Sequence, residues 1–209
     1  MVVSIDESQD TERFVLRAIA TPDMVTAQGI VGDLRKAARQ LHVALHEFHE
    51  ADLYRDHPRL LTRSLELMST AKRKKHPYPR REVCFLGTYY IKASTEQHKP
   101  TLTQRRMLTV YFELLQALIW ALPLTPQEKL TVICDWFQGC LTLQSAVDSL
   151  LAELNGTLAF GNSATQKPLQ LADLLVGTLR RHLAGDRNED RFCFVKPLLH
   201  HLGAVSVKQ

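Results

Sequence analysis

Met1–Ala20 reads MVVSIDESQDTERFVLRAIA. Its first apolar run, Met1–Ile5, is built of β-branched residues and stops at Asp6. Its second, Arg13–Ala20, has the same character. The polar DESQDTE between them predicts a tight connection, so the chain opens on a β-hairpin whose first strand ends in adjacent carboxylates, Asp6 and Glu7.

Outward from that hairpin, Thr21-Pro22-Asp23 starts a helix expected from about Met24 to His46, with Leu34, Ala38, Leu41 and Leu45 at helical spacing. A second helix is expected over Pro58–Thr70. Glu82–Ile91, EVCFLGTYYI, reads as a strand and Leu102–Leu122 as a long helix ending before Pro123. Lys129–Trp136, KLTVICDW, is a strand with Asp135 at its C-terminal end. A helix over Thr142–Leu154 stops at Asn155-Gly156. A short strand over Thr157–Phe160 and a helix over Pro168–Leu183 follow; the tail to Gln209 carries no assignable pattern.

With the helices of about 22–81 set aside as an insertion between strands 2 and 3, the order is three hairpin-linked strands, then alternating helices and strands. That succession predicts one α/β domain over 1–209. Its mixed five-stranded sheet, flanked by helices, has the element order of the ribonuclease-H-like fold.

The chain has 209 residues, 45% hydrophobic and 23% charged, which excludes global disorder. Leu114–Leu124 is the longest nearly apolar run and falls short of the roughly 20 residues a membrane helix needs. MVVSIDESQD has no basic patch before an apolar stretch, so a cytoplasmic chain with no membrane partner is expected. Cys84, Cys134, Cys140 and Cys193 form no CxxC pair and read as buried thiols in a reducing compartment. Net charge is +4, but Lys72–Arg81, KRKKHPYPRR, concentrates six basic residues. Lys72, Arg73, Lys74, Lys75, Arg80 and Arg81 suit a phosphate backbone, with Tyr78 available for stacking. The plainer reading of that run is a solvated loop.

Three acids lie where a core would not want them. Asp6 and Asp135 end strands, and ligands gather at the carboxyl ends of strands in open α/β sheets. Asp173 interrupts PLQLADLLVGTLRRHL, where Gln170, Asp173, Gly177 and Arg180 share one face. Gly177 would let that face approach the sheet. If the chain turns at Glu7, its carboxylate joins Asp6. A set of hard oxygen ligands suits Mg²⁺ or Mn²⁺, and such ions serve phosphodiester cleavage. Taken singly, each acid also reads as a cap, a turn acceptor or an ion-pair partner.

VVSIDESQD, HEFHEADL and PLQLADLLVGTLRR together resemble the domain-of-unknown-function 3800 family, over roughly Val2–Arg181. Members of that family open on a strand ending Asp-Glu-Ser-Gly, carry a Glu-x-His element and end in a Gln-x-Ala-Asp helix. The resemblance implies a ribonuclease-H-like fold and a nuclease-like site. Asp6, Glu7 and Ser8 match the first motif, Glu47 and His49 the second, and Gln170, Ala172 and Asp173 the last. Asn162-Ser163 stands where members often have Asp-Ser. Gln9 in place of Gly and Asn162 in place of Asp are departures from the pattern. Glu47 would then be a further ligand and His49 a proton shuttle. The ribonuclease-H topology also makes Glu113 a substitute ligand, though a surface Glu on an amphipathic helix is the favoured reading.

His42, His46 and His49 at i, i+4, i+7 raise a zinc site, but HEFHE is not HExxH and no Cys lies near. No phosphate loop, GxSxG or dinucleotide fingerprint occurs. The expectation is a divalent-metal-dependent nuclease or nuclease-like phosphodiesterase acting on nucleic acid. Asp6, Glu7, Asp135 and Asp173 would be the metal ligands, assisted by Glu47 and His49. The alternative is a non-catalytic nucleic-acid- or protein-binding module on the same fold.

Overall fold

The computed structural model describes all residues except 71–82, 98, 100, 126–127, 187–190 and 208–209. The basic run from Lys72 to Arg81, with its expected nucleic-acid contacts, lies outside the described residues.

The opening hairpin is β1 (Val2–Gln9) and β2 (Arg13–Thr21), paired antiparallel from Val2↔Thr21 to Gln9↔Phe14. Helices α1 (Met24–Gln40), α2 (Glu50–Asp56) and α3 (Pro58–Thr70) follow. Then come β3 (Cys84–Ile91), α4 (Gln104–Trp120), β4 (Leu130–Asp135), α5 (Gln144–Ala152), β5 (Gly156–Gly161) and α6 (Leu169–Leu183). A short α7 (Phe192–Val195) leads into β6 (Leu199–Ala204). The sheet order is β5-β4-β1-β2-β3-β6. β2 is antiparallel to β1 and β3, while β4 runs parallel to β1 and β5, and β6 parallel to β3.

The chain is therefore α/β with a mixed six-stranded sheet, one strand more than the five expected. The extra strand is LHHLGA, which pairs with β3 alone. Its place at the edge leaves His200 and Ala204 exposed and the rest only half-buried, so it lacks the alternating pattern that marks a strand. α1 ends at Gln40 rather than near His46. Asp23 caps its start by accepting from the Thr26 N–H at 2.7 Å, and His42 adopts φ 56°, which breaks the helical path.

The sheet buries both faces. On one, Val3, Ile5, Leu16 and Val132 pack under α4 and α5 through Leu114, Leu118 and Val147. On the other, Val15, Ile19 and Phe85 pack under α1, α3 and α6 through Leu34, Leu65 and Leu175. Helices from the segment between β2 and β3 thus share a core with α6. Period-two alternation along β1 sends Val3 and Ile5 toward α4, and Ser4 and Asp6 toward α6.

Candidate active site

β1 and β4 pair from Val2↔Thr131 to Ile5↔Cys134, and there the pairing stops. β1 continues to Gln9 along β2 alone. β4 ends one residue later at Asp135, and the Trp136 N–H still donates to the Gly161 carbonyl of β5 (2.8 Å). Asp6 and Asp135 therefore stand next to each other where two adjacent parallel strands stop pairing, the place where ligands gather in open α/β sheets.

Asp6 is buried, and its Oδ1 accepts from the Glu7 N–H at 2.8 Å. Its carboxyl is held well above the usual carboxylate range, first by burial, then by the charges of Asp173, Glu7 and Asp135. Asp135 is half-buried and shifts the same way. Burial leads, Asp173 and Glu47 add to it, and the Trp136 N–H and His49 oppose it. Each aspartate thus registers the charge of residues distant in sequence, and α6 supplies the third of them, Asp173.

Glu7 does not turn toward Asp6. It lies within β1, so its side chain takes the opposite face, near Tyr111 and Cys134. That corrects the expected turn, which the length of β1 rules out. Burial, then the charge of Asp135, pushes Glu7 up to about 7, and its Oε2 is buried with no hydrogen-bond partner.

The loop before α2 brings Glu47 and His49 to Asp173. His49 Nε2 lies 3.0 Å from Glu47 Oε2, and its Nδ1 lies 3.3 Å from Asp173 Oδ2. The hydrogen bond to Asp173 and the charges of both carboxylates outweigh desolvation and raise the imidazole to about 9. Gln170 fixes this loop. Its Nε2 donates to the Ser163 carbonyl (2.9 Å), and its Oε1 accepts from the Phe48 N–H (3.4 Å). Ser163 Oγ in turn donates to Glu47 (2.9 Å). The residues of the Glu-x-His and Gln-x-Ala-Asp motifs, with Ser163, thus form one hydrogen-bonded unit.

Mutually repelling buried carboxylates and an orphaned Glu7 oxygen suit a hard divalent cation. Among the described residues, however, no group of three or more His, Cys, Asp or Glu side chains stands ready as a metal cage. In this arrangement Asp173 and Glu47 are engaged by His49 instead.

Other expectations resolve differently. Gly177 faces the Glu50 carboxylate, and any side chain there would overlap it; close approach to the sheet is not its role. Glu50 is buried and paired with Arg181 Nε at 2.9 Å. The sequence gives little signal for that pair, since the two residues are 131 apart. His42 is in a left-handed turn, His46 in a bend, and His49 precedes α2, so they share no helical face for zinc. Glu113 is exposed on α4. Cys84, Cys134 and Cys140 are buried but Cys193 is exposed, against the expectation of four buried thiols. Burial pushes Cys134 up to about 12, so it is no nucleophile. Among the described residues no helix is long and apolar enough to cross a membrane.

Fold and site define an α/β protein with carboxylates gathered where the strand order reverses between β1 and β4. No family model matches the chain, and no curated protein matches it. A chain in the solved PCNA:RNase HII complex from Archaeoglobus fulgidus is similar in structure, with a TM-score of 0.43 and 17% identity. The alignment covers 92% of this chain and 77% of that one.

Proposed function

We propose that this chain is a divalent-metal-dependent nuclease or nuclease-like phosphodiesterase on a ribonuclease-H-like domain, akin to the domain-of-unknown-function 3800 family. The observation that carries the reading is placement. Asp6 and Asp135 stand where the β1–β4 pairing ends, and α6, packed against β1, brings Asp173 near enough for its charge to push both carboxyls upward. A protein spends stability on such a cluster where it serves a function.

Asp6, Asp135 and Asp173, with Glu7 or Glu47, would hold one or two Mg²⁺ or Mn²⁺ ions, which supply charge neutralisation and an acidified water. His49 stays protonated through neutral pH between its two carboxylates and is placed to hold a proton beside the reacting phosphate. Gln170 orients the loop that carries it. Lys72, Arg73, Lys74, Lys75, Arg80 and Arg81 would track the nucleic-acid backbone.

The test is cleavage of labelled DNA and RNA in Mg²⁺ or Mn²⁺ by the wild type and by Asp6→Asn. Wild-type turnover that disappears in the variant, with its melting cooperative, supports the proposal. Full activity in Asp6→Asn overturns it.

One observation favours a second reading, a non-catalytic nucleic-acid- or protein-binding module. His49 lies 3.0 Å from Glu47 and 3.3 Å from Asp173, and as an imidazolium it offsets charge that a cation would otherwise balance. That reading predicts salt-sensitive binding without turnover, and no rise in melting temperature with millimolar Mn²⁺.

A further inference from the structure

The geometry points to a single-stranded polynucleotide as the ligand of this site, held by a base stacked on Trp136 and a phosphate in the cleft beside α1. The inference rests on the phosphodiesterase reading and adds the form of the strand.

Trp136 directly follows Asp135 and is 58% exposed. A single exposed apolar side chain is ordinary; this one adjoins a carboxylate of the acid cluster. Its backbone N–H donates to both the Gly161 carbonyl (2.8 Å) and Asp135 Oδ1 (3.0 Å). The main chain that carries the indole is therefore anchored beside the Asp135 carboxylate. Every base offers a π-face, so an exposed indole at a phosphodiester site is a stacking surface.

The surface continues from Trp136 to a cationic cleft. Gly161, bonded to Trp136, is covered by the side chain of Gln166. Gln166 lines a cleft of about 300 Å³ between α1 and the 165–168 turn, together with Arg35 and Lys167. No acid lines that cleft. Neither Arg35 nor Lys167 has a side-chain hydrogen bond or ion pair among the described residues. Two uncompensated cations facing a solvent-filled cleft suit a phosphate. The turn just before residues 165–168, closed by the Gln166 N–H on the Asn162 carbonyl (2.7 Å), carries Ser163, whose hydroxyl donates to Glu47. Stacking surface, anion cleft and carboxylates are thus linked by named contacts.

A duplex keeps its bases inside the stack and presents none to Trp136. Only an unpaired strand offers a base to the indole while its backbone reaches Arg35 and Lys167.

The chain has two tryptophans, so Trp120→Phe leaves Trp136 as the sole indole. In that background, fluorescence is followed in EDTA at low salt while (dT)12, (U)12 or a 12-base-pair duplex is added. Saturable quenching by a single strand and not by the duplex is expected, and the two oligomers separate DNA from RNA. Binding by anisotropy should weaken roughly 5- to 100-fold in Trp136→Ala and be retained in Trp136→Phe. Lys167→Glu should weaken binding and lower the salt slope by about one. Because Trp136 is exposed, its variants should melt with the wild type. Equal quenching by duplex, or single-strand binding and cleavage unchanged in Trp136→Ala, overturns the inference. Quenching and binding with no turnover in Mn²⁺ sustains the strand contact and counts against hydrolysis alone.

Discussion

The Glu50 backbone N–H donates to the Asp173 carboxylate at 3.0 Å. Asp173 therefore both joins the acid cluster and satisfies a free donor in the first turn of α2. The two roles separate by substitution. Asn keeps an acceptor oxygen for Glu50 but loses the charge. Asp173→Asn should cut metal-dependent cleavage by roughly 100-fold or more while still melting cooperatively, below the wild type by what the His49 ion pair contributes. Asp173→Ala should in addition lose about 1 kcal/mol through the missing cap. Cleavage assays and thermal melts on the pair test this. Wild-type turnover in Asp173→Asn would remove Asp173 from the chemistry.

Much of this arrangement was legible in the sequence. Asp6 and Asp135 stand out because an acid ending an apolar strand has few structural reasons to be there. Asp173 stands out within an otherwise apolar helix. What the sequence hides is orientation and long-range pairing. Whether Glu7 faces Asp6 depends on where β1 stops, and β1 runs on because β2 pairs with it as far as Gln9. The end of α1 carries no Gly or Pro; the helix stops where Leu41 is left exposed after Ala38, its last buried residue. β6 is an edge strand with half-buried faces, so its pattern is weak. Glu50 and Arg181 find each other only after α2 docks on α6.

The carboxylates give the metal-free protein an unusual pH dependence. Glu7 is raised from 4.5 to about 7. Between those values the folded chain binds more protons than the unfolded one, so stability falls as pH rises through the window. Asp6 acts in the same direction. His49 is raised from 6.5 to about 9, so its contribution is full below 6.5 and is lost as pH climbs through 9. All three therefore favour the acidic side. Melting in EDTA should fall from pH 5 to pH 8. Glu7→Gln should raise the pH 8 value by something on the order of 1–3 kcal/mol, and the pH 5 value by less. Millimolar Mn²⁺ should recover stability at pH 8 in the wild type. A metal-free melting temperature that rises across this range would contradict the assignment.

Gly177 tests how tightly the loop before α2 is seated. A Cβ there overlaps the Glu50 carboxylate, which is 2% exposed and bonded to Arg181. Ala gains up to about 1 kcal/mol of helix propensity over Gly. Pushing Glu50 off Arg181 leaves a buried charge unpaired, which costs about 3–5 kcal/mol. Gly177→Ala should therefore destabilise by a few kcal/mol despite the better helix former. If the clash is the cause, Glu50→Ala/Gly177→Ala should melt no lower than Glu50→Ala alone. A double variant clearly below both singles would place the strain elsewhere.

Arg17 carries a cation through the core without a partner. Its side chain is fully buried, and none of its three guanidinium nitrogens makes a hydrogen bond. The nearest aromatic support is the Phe192 ring, 5.8 Å from the guanidinium carbon. Desolvation lowers the group from 12.5 to about 9, so it remains charged at neutral pH and its penalty is constant below 9. Between 9 and 12.5 the unfolded chain binds the extra proton, and the penalty fades as pH rises. Met is shorter but unbranched, of broadly similar volume, and has no charge to desolvate. Replacing a buried, poorly compensated charge with a well-packed apolar residue of similar volume is neutral or stabilising by about 1–4 kcal/mol. Arg17→Met should therefore melt at or above the wild type from pH 6 to pH 8, with a constant difference. His182 provides an independent readout, because burial and then the Arg17 charge hold its imidazole below 6.5. Removing Arg17 should move the His182 titration upward by NMR. Melting well below the wild type, with His182 unmoved, would mean that the guanidinium is compensated and holds the sheet against α7.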